Sequence, residues 1–490
     1  MFDFITNRLI KTTYSPVNKD TLKAYNLVRP GGAKEMVCFV PFNSLTFSWH
    51  GKVYACTYNR NILVGEYPKD SIRDIWFGKS IKKLRGYLEH NDLSYGCQHC
   101  NYFLEKEKFS GLKPQTFDKY YDYKKKTYPR VMEFELSNTC NLECIMCNGN
   151  TSSAIRKNRD KLPPLPVPYN DEFVEQLKEF IPHLREAKFF GGEPFLIEQY
   201  YQIWDKMMEL NPWINIFVIT NGTVLNQKIK SLLEKGKFEL AISIDSIRKE
   251  RYERIRKNSK FETVMENLNY LNEYSQTRGK TMSLSFTTQR ENWDELPEVI
   301  EFCNKNKLIF FNSFLTAPFE LSLIFLSSEE LRDIHNYLSK YTLPETTELE
   351  KYNKNCFTDY LKYLKHYEEK NKNGIDYTEQ KDNYNEAIIS ERVNGKLQKI
   401  VKGKINEKQK FKNRNDLYEA LKTLKIENEK ISNSEIIDRI EQLFTSLNDE
   451  QMEQRILADL SISPIEIMIN DVSNWSQEEL YSKIKKQFSR

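Results

Sequence analysis

Between residues 130 and 315, short apolar runs alternate with longer segments of helical periodicity. This alternation constrains the fold more than any other feature, because strands that alternate with helices form parallel sheets covered by helices. Six such units predict an α/β fold with a partial (β/α)6 barrel rather than a complete eight-fold one. The predicted strands are 131–136, 187–190, 214–220, 240–244, 282–287 and 308–314, and the predicted helices are 171–180, 261–274 and 293–304.

The last of these strands is rich in phenylalanine, with Phe310, Phe311 and Phe314 close together. Because the segment continues the strand pattern of the preceding 180 or so residues, we interpret it as a buried sixth strand. The alternative, a platform on which nucleic-acid bases stack, is less consistent with that context.

The region before the barrel has a different pattern. Residues 37–40 and 45–49 are strand-like, and a turn at Gly51 leads into a returning strand at 52–56, which predicts a β-hairpin. Ser71 is in place to cap a helix that follows it. A lysine-rich stretch at 121–126 is typical of a linker.

The region after the barrel is more polar and predicts a helical module. Ser327 and Glu330 have the spacing of a helix start, and residues 367–386 indicate a solvated helix surface or a flexible connection. An amphipathic helix is predicted further on, where apolar residues recur at helical spacing. These residues are Ile436, Ile437, Ile440, Leu443, Phe444 and Leu447.

The overall charge and hydropathy exclude some classes of protein. The chain has 490 residues and a formal net charge of +4, which does not indicate a broad nucleic-acid-binding surface. Its amino terminus lacks the apolar segment of a signal peptide, and no run of about 18 apolar residues indicates a membrane span. We therefore expect a soluble cytoplasmic protein that binds neither nucleic acid nor a membrane.

Nine cysteines are unevenly distributed along the chain. Without an export signal, clustered cysteines indicate metal ligands or catalytic thiols rather than disulfides. Cys140, Cys144 and Cys147 have the spacing Cys-x3-Cys-x2-Cys and follow the first barrel strand directly. Thiolates are the ligands of iron–sulfur clusters, and three thiolates leave one iron of a 4Fe–4S cluster open. The alternatives are a zinc site, which usually has four ligands, or buried thiols. Cys303 and Cys356 stand alone and are interpreted as ordinary thiols.

In this strand context, the three-cysteine motif resembles that of the radical S-adenosylmethionine (SAM) superfamily. A Gly-Gly-Glu-Pro element after the second strand extends the resemblance, which implies that Glu193 accepts from the SAM ammonium group. By the same resemblance, Ser243 and Arg256 meet the ribose hydroxyls. The residues that the resemblance implies for SAM binding are Gly191, Gly192, Glu193, Pro194, Asn221, Ser243, Asp245 and Arg256.

A second set of four cysteines precedes the barrel: Cys38, Cys56, Cys97 and Cys100. Their chemistry fits an auxiliary iron–sulfur cluster and a structural zinc site equally well. The segment resembles a twitch domain, the shortened form of the SPASM domain, which implies an auxiliary 4Fe–4S cluster. Because it precedes the barrel, the chain resembles the N-terminal twitch subgroup. The predicted domains are a lead-in (1–34), a twitch-like domain (35–126), a radical SAM partial barrel (127–326) and a helical, highly charged module (327–490).

The resemblance implies an oxidoreductase that takes an electron from a reductant such as flavodoxin or ferredoxin. It implies that SAM is cleaved to a 5′-deoxyadenosyl radical, which abstracts hydrogen from the substrate. We expect a peptide or protein substrate, as for a peptide maturase, because the large helical module offers a docking surface. A dehydrogenase or other oxidase of a small molecule, such as a sugar or nucleotide precursor, is the alternative. A non-catalytic metal-binding scaffold is a third hypothesis, and no residue is assigned a catalytic role.

Overall fold

A computed structural model describes most of the chain. It covers residues 14–29, 31–107, 109, 112–122, 127–373, 401–402, 413–423, 425–426 and 432–447, with scattered residues between 453 and 481. Most of the predicted linker at 121–126, the first part of the lead-in and the polar segment beyond residue 373 lie outside the described residues.

Eleven strands are found in the described residues. Six of them, β4 to β9, correspond to the six predicted barrel strands, with ends that differ by at most two residues. The strands are β1 (Ser44–Phe47), β2 (Lys52–Tyr54), β3 (Gly65–Glu66), β4 (Val131–Phe134), β5 (Glu186–Phe189), β6 (Asn215–Thr220), β7 (Phe238–Ser243), β8 (Ser283–Thr288), β9 (Ile309–Phe314), β10 (Val401–Lys402) and β11 (Lys425–Ile426).

The described helices confirm the alternation. They are α1 (Lys19–Val28), α2 (Ile72–Phe77), α3 (Lys79–Glu89), α4 (Gln98–Glu105), α5 (Ser153–Asn158), α6 (Asp171–Leu177), α7 (Glu198–Leu210), α8 (Gln227–Lys235), α9 (Lys249–Ile255), α10 (Phe261–Thr277), α11 (Leu296–Lys305), α12 (Ser328–Leu338), α13 (Glu348–Lys370), α14 (Arg414–Thr423) and α15 (Asn433–Leu447). Short 3-10 helices lie at Val40–Phe42, Lys113–Tyr120, Ile181–His183, Pro194–Leu196, Trp293–Glu295, Leu323–Phe325 and Asn371–Asn373.

Internal packing divides the chain into two units. The first comprises residues up to Glu143, Cys147–Ser243 and Lys257–Met282, and the second comprises Cys144–Met146, Ile244–Arg256 and the chain from Ser283 onward. The two units are defined by internal contacts and not by sequence motifs. The four domains expected from the sequence therefore stay a prediction.

The sheet of the first unit joins the N-terminal region to the barrel strands. Its described strands follow the order β3-β2-β1-β4-β5-β6-β7. The predicted hairpin is confirmed, because β1 and β2 pair antiparallel and Gly51 makes the turn with a φ of +79°. β1 then pairs parallel with β4, from Ser44 beside Val131 to Phe47 beside Phe134. The N-terminal region therefore extends the barrel sheet by three strands.

Two local predictions for the N-terminal region have different outcomes. Ser71 caps α2 as expected, since its side chain accepts from the backbone N–H of Asp74. The prediction of a strand at 37–40 is wrong. The chain instead enters the 3-10 helix Val40–Phe42, where Pro41 occupies an early position at which a missing N–H costs no hydrogen bond.

The second unit contains the parallel pair β8 and β9 and the helices from α11 onward. Helix α12 begins where predicted, with a capping box between Ser327 and Glu330. Helix α13 covers the free side of β9: Asn353 accepts from the N–H of Phe310 and donates to the carbonyl of Leu308. An edge strand whose backbone groups are satisfied by a helix does not offer them to another chain.

The burial predicted for the sixth strand is wrong in part. Phe310 is fully buried, whereas Phe311 and Phe314 are 51% and 41% exposed. Phe314 stacks instead on Tyr363 of α13, with ring centroids 3.9 Å apart. The strand itself is where the pattern placed it, but the core does not cover Phe311 and Phe314.

The predicted amphipathic helix near the end of the chain is confirmed as α15. Its residues Ile436, Ile440, Leu443 and Phe444 are buried in a local core with residues of α14. No helix among the described residues is both long enough and apolar enough to cross a lipid bilayer.

Candidate metal centres

The loop that carries Cys140 and Cys147 is anchored by the residues that follow it. Ser153 accepts from the backbone N–H of Cys140 and donates to its carbonyl, and Ser152 donates to the carbonyl of Leu142. Arg159 donates to the carbonyl of Cys147 at 2.9 Å. These bonds fix the backbone of the loop without using the thiols.

The Gly-Gly-Glu-Pro element lies directly against the segment that leads into this loop. Gly192 and Glu193 donate their backbone N–H groups to the carbonyls of Ser137 and Thr139, at 3.0 and 2.7 Å. A side chain at Gly192 would meet the Thr139 carbonyl at 2.2 Å. Gly191 has a φ of +114°, which also favours glycine. The two glycines therefore permit a close backbone contact beside Cys140.

Glu193 connects this element to the end of β6. Its side chain is fully buried, and its carboxylate accepts from the Thr220 hydroxyl and from the backbone N–H of Asn221, both at 2.7 Å. Pro194, also buried, begins the 3-10 helix that follows. A buried carboxylate must be satisfied in this way, because leaving it unpaired is costly.

Asn221 clamps the cluster loop from the side of β6. Its amide nitrogen donates to the Asn141 side chain at 3.0 Å, and the Asn141 amide donates to the Thr223 hydroxyl at 2.9 Å. The Thr223 hydroxyl closes the ring by donating to the Asn221 side-chain oxygen at 2.7 Å. The Asn221 nitrogen also lies 3.9 Å from the sulfur of Cys140.

The three loop cysteines are placed as follows. Burial raises the pKa of the Cys140 thiol, and the nearby Glu193 carboxylate and Cys147 thiolate raise it further. Cys144 is buried, and the next residue, Ile145, donates its N–H to the carbonyl of Ile255. The loop thus carries three cysteines, the residue type whose thiolates bind iron–sulfur clusters.

The residues predicted to meet the SAM ribose lie after β7. Ser243 ends that strand and is half-buried. Asp245 is fully buried, accepts from the N–H of Thr287 at 2.7 Å, and has its second oxygen 2.7 Å from Nε of the buried Arg256. Burial raises the pKa of Asp245, although the Arg256 cation opposes the shift. The structure thus pairs Arg256 with a carboxylate, and the predicted roles of these residues in SAM binding stay predictions.

The Asn221 clamp leads to a testable expectation. Replacing Asn221 with alanine removes the side-chain bonds to Asn141 and Thr223, each worth about 0.5–1.5 kcal/mol. We expect the variant to lose cluster iron to a chelator several times faster than the wild type. The control is Asn226→Ala, which removes the N-cap of α8 at a comparable cost of about 0.5–2 kcal/mol without touching the loop. Equal iron loss in both variants would contradict the clamp.

The second cysteine set surrounds one cavity. Cys38, Cys56, Cys97 and Cys100 all line it, together with Val37, Val40, Pro41, Tyr58, Asn59, Leu93, His99, Lys113 and Pro114. Cys38, Cys56 and Cys100 are buried and Cys97 is partly buried. All nine cysteines of the chain lie in the described residues, and no disulfide joins any of them. The fold therefore brings the four predicted auxiliary ligands together around one cavity, where they could bind an inorganic group.

The surroundings of these thiols suit a thiolate-bound group. The N–H groups of Val40 and Tyr58 donate to the sulfurs of Cys38 and Cys56, each at 3.4 Å, and the Asn59 amide donates to Cys97 at 3.2 Å. Burial raises the pKa of Cys97 to about 12, and the neighbouring Cys56 adds to the shift. A cation that replaces the protons relieves this repulsion.

In the described residues, no three Cys, His, Asp or Glu side chains form a group with the spacing of a single-metal site. The chemistry of the four cysteines suits both zinc and an iron–sulfur cluster.

Sequence reasoning missed the charged residue of this cavity. Lys113 belongs to no motif. It pairs with Glu133, which lies 20 positions further along the chain, and Glu133 also pairs with Lys188, another 55 positions on. The one signal in the sequence is a glutamate, Glu133, within an otherwise apolar strand, since a buried glutamate needs a cationic partner.

Comparisons with known proteins agree with the geometry. Residues 134–303 match the family model of the radical SAM superfamily, and residues 38–101 match that of SPASM, an iron–sulfur cluster-binding domain. The chain is 24% identical over 227 residues to a GTP 3′,8-cyclase of Helicobacter pylori, covering 45% of this chain and 67% of that protein. It is 27% identical over 195 residues to a probable GTP 3′,8-cyclase of Thermococcus kodakarensis, covering 39% and 58%. The chain thus covers between about a third and two thirds of the length of such relatives.

Solved structures with a similar fold include Streptococcus suis SuiB bound to SAM and the same protein bound to its precursor peptide SuiA. The first has a TM-score of 0.33 at 16% identity, covering 50% of this chain and 60% of that one. The second has a TM-score of 0.31 at 16% identity, with the same coverage. The two matched domains imply 4Fe–4S clusters and SAM as cofactors, and they give the chain a radical SAM domain preceded by a SPASM/twitch domain, as in a radical SAM enzyme.

Proposed function

We propose that the chain cleaves SAM reductively at a cluster on Cys140, Cys144 and Cys147 and abstracts hydrogen from a peptide or protein. The clamp between the cluster loop and the end of β6 carries the first part of this proposal. It brings the Gly-Gly-Glu-Pro element and Asn221 beside Cys140, at the carboxyl ends of parallel strands where α/β folds bind ligands.

Cys140, Cys144 and Cys147 would hold a 4Fe–4S cluster with one open iron, which would supply the electron for the reductive cleavage of SAM. The chain's own residues do the positioning. Glu193 keeps β6 against the Gly-Gly-Glu-Pro element, because its buried carboxylate accepts from the Thr220 hydroxyl and the Asn221 N–H.

Paired arginines after β7 support a substrate without phosphate groups. Each of four arginines in this segment already faces a carboxylate. Arg251 meets Asp294 at 2.7 Å and also reaches the buried Glu295. The remaining pairs are Arg248 with Glu298, Arg254 with Glu291 and Arg256 with Asp245, at 2.8, 3.0 and 2.7 Å.

The charge balance of this segment is unfavourable for a nucleoside triphosphate. The four arginines face five carboxylates, those of Asp245, Glu291, Asp294, Glu295 and Glu298, which leaves the group with a formal charge of −1. Recognition of a triphosphate needs several cations whose donors are not already committed to carboxylates. A neutral or basic peptide meets no such requirement.

A small-molecule substrate is the second candidate. The similarity to GTP 3′,8-cyclases favours a nucleotide, because those proteins match 37–45% of this chain in several cases. The four cysteines of the auxiliary cavity oppose it, since a cluster with four protein ligands has no open iron for a small substrate. We also propose a cytoplasmic location and a flavodoxin- or ferredoxin-type reductant.

The test uses the full chain, purified without oxygen and reconstituted with iron and sulfide. It is incubated with SAM, dithionite and either synthetic peptides encoded beside its gene or GTP. We expect a mass change in one peptide and faster formation of 5′-deoxyadenosine in its presence. The Cys140→Ala/Cys144→Ala/Cys147→Ala variant, which lacks the cluster ligands, serves as the blank.

Two outcomes would overturn the proposal in different ways. Consumption of GTP, with no peptide changed in mass, would replace the peptide by a nucleotide as substrate. If the clusters are present but no 5′-deoxyadenosine forms under any condition, the protein would instead be a non-catalytic metal-binding scaffold.

A further inference from the structure

Lys113 is the residue of the auxiliary cavity that the proposed function leaves unexplained. It begins the 3-10 helix Lys113–Tyr120 and lines the cavity beside the four cysteines. Of the cavity-lining residues, all of which the structure describes, Lys113 alone carries a permanent positive charge at neutral pH. Its side chain is only 17% exposed, so the charge is held largely out of water.

Glu133 holds this lysine in place from the first barrel strand. The Glu133 side chain is 1% exposed, and one of its oxygens lies 3.2 Å from the Lys113 nitrogen. Its other oxygen accepts from the Thr46 hydroxyl at 3.0 Å, and Lys188 approaches at 3.4 Å. Two lysines and one carboxylate leave this buried group with a formal charge of +1.

Both members of the central pair stay ionised. Burial raises the pKa of Glu133, but Lys113 and Lys188 lower it by more, so that its net shift is downward. Burial lowers the pKa of Lys113, while Glu133 and the Cys56 thiolate raise it by more. The positive charge at the cavity is therefore a permanent feature of the fold.

The positive charge of Lys113 affects how readily a cluster in this cavity is reduced. Reducing a cluster bound by four thiolates adds a negative charge to the cavity, where, among the described lining residues, Lys113 is the one with a positive charge. Cluster potentials depend on net charge, hydrogen bonds and exposure. Screening is weak in a buried site, so one lysine has a large effect. We propose that Lys113, positioned by Glu133, raises the reduction potential of the auxiliary cluster so that it can accept an electron during turnover. This inference rests on the iron–sulfur cluster and does not depend on which substrate is correct.

The experiment isolates the auxiliary cluster and measures its potential. Full-length protein carrying Cys140→Ala, Cys144→Ala and Cys147→Ala is reconstituted and titrated with dithionite, and the reduced cluster is followed by electron paramagnetic resonance. In this background, Lys113→Met is compared with Lys113→Arg, which keeps the charge. Lys188→Met is the matched control, because it removes the same charge from the same carboxylate but Lys188 does not line the cavity.

We expect Lys113→Met to lower the ratio of reduced to oxidised cluster at least tenfold at a fixed potential. For one electron this corresponds to a midpoint about 59 mV lower. Lys113→Arg should stay close to the parent, and Lys188→Met should shift by less than Lys113→Met. Glu133→Gln should shift the midpoint potential upward, because it removes a negative charge beside Lys113. This variant tests the proposal independently if the Lys113→Met protein accumulates poorly.

Equal midpoints for Lys113→Met and the parent, or equal shifts for Lys113→Met and Lys188→Met, would overturn the assignment. Zinc without iron in the parent background would also overturn it, because no cluster would then be present. Neither result would alter SAM cleavage by the wild type, which is measured separately and tests the proposed function.

Discussion

Replacing Cys140, Cys144 and Cys147 together with alanine is expected to abolish 5′-deoxyadenosine formation and to remove about half of the iron. A wild type with two 4Fe–4S clusters holds about eight irons, and the variant keeps about four at the auxiliary site. The physical reason is that the loop backbone is fixed by Ser152, Ser153 and Arg159, so that the thiols are lost without loss of the loop. Iron, sulfide and product are measured on the same samples.

The matched control removes two auxiliary ligands. Cys38→Ala/Cys56→Ala is expected to lose about four irons while it still cleaves SAM, because neither residue belongs to the cluster loop. SAM cleavage that survives in the triple variant would refute the assignment of the loop. Zinc in place of the second set of irons would make the N-terminal site structural.

The second large effect concerns the stability of the N-terminal region. Changing Arg29 to methionine is expected to lower the free energy of unfolding by about 3–5 kcal/mol, because it leaves the carboxylate of Asp118 buried without a partner. The two side chains are 0% and 3% exposed and form two bonds of 2.7 Å. Arg29 also donates to the carbonyls of Met36 and Val37, directly before Cys38. Urea unfolding and iron content measure the two consequences.

A double variant separates the ion pair from the fold around it. Arg29→Met with Asp118→Leu removes both charges, so it should recover part of the lost stability, because no charge is then left unpaired. A double variant that is less stable than Arg29→Met alone would show that the arginine acts mainly through its bonds to the two carbonyls. Retention of full stability by Arg29→Met would contradict the expected effect altogether.

Local patterns in the sequence were enough to predict the strands, the helix starts and the cysteine motif. The six barrel strands, the Ser71 cap and the capping box at Ser327 each depend on residues only a few positions apart. The same holds for the three-cysteine loop, whose spacing lies within eight residues. Features of this kind are readable because their physical cause is short-range.

Features that depend on distant residues were not predicted. The parallel pairing of β1 with β4 joins residues 87 positions apart, and nothing in either segment specifies its partner. The group of Lys113, Glu133 and Lys188 is likewise assembled by the fold from three separate segments. The exposure of Phe311 and Phe314 depends on which other elements cover the two faces of β9, and strand periodicity does not encode that.

The parallel pairing of β1 with β4 has a consequence for how such a chain can be divided. A fragment beginning near residue 127 would keep every motif of the radical SAM domain. In such a fragment β4 would be an exposed edge strand. The backbone groups that bond to β1 in the full chain could then pair with a strand of another molecule. The N-terminal region is therefore part of the same sheet as the barrel strands. A chain that gained or lost this region would also gain or lose the strand that neighbours β4.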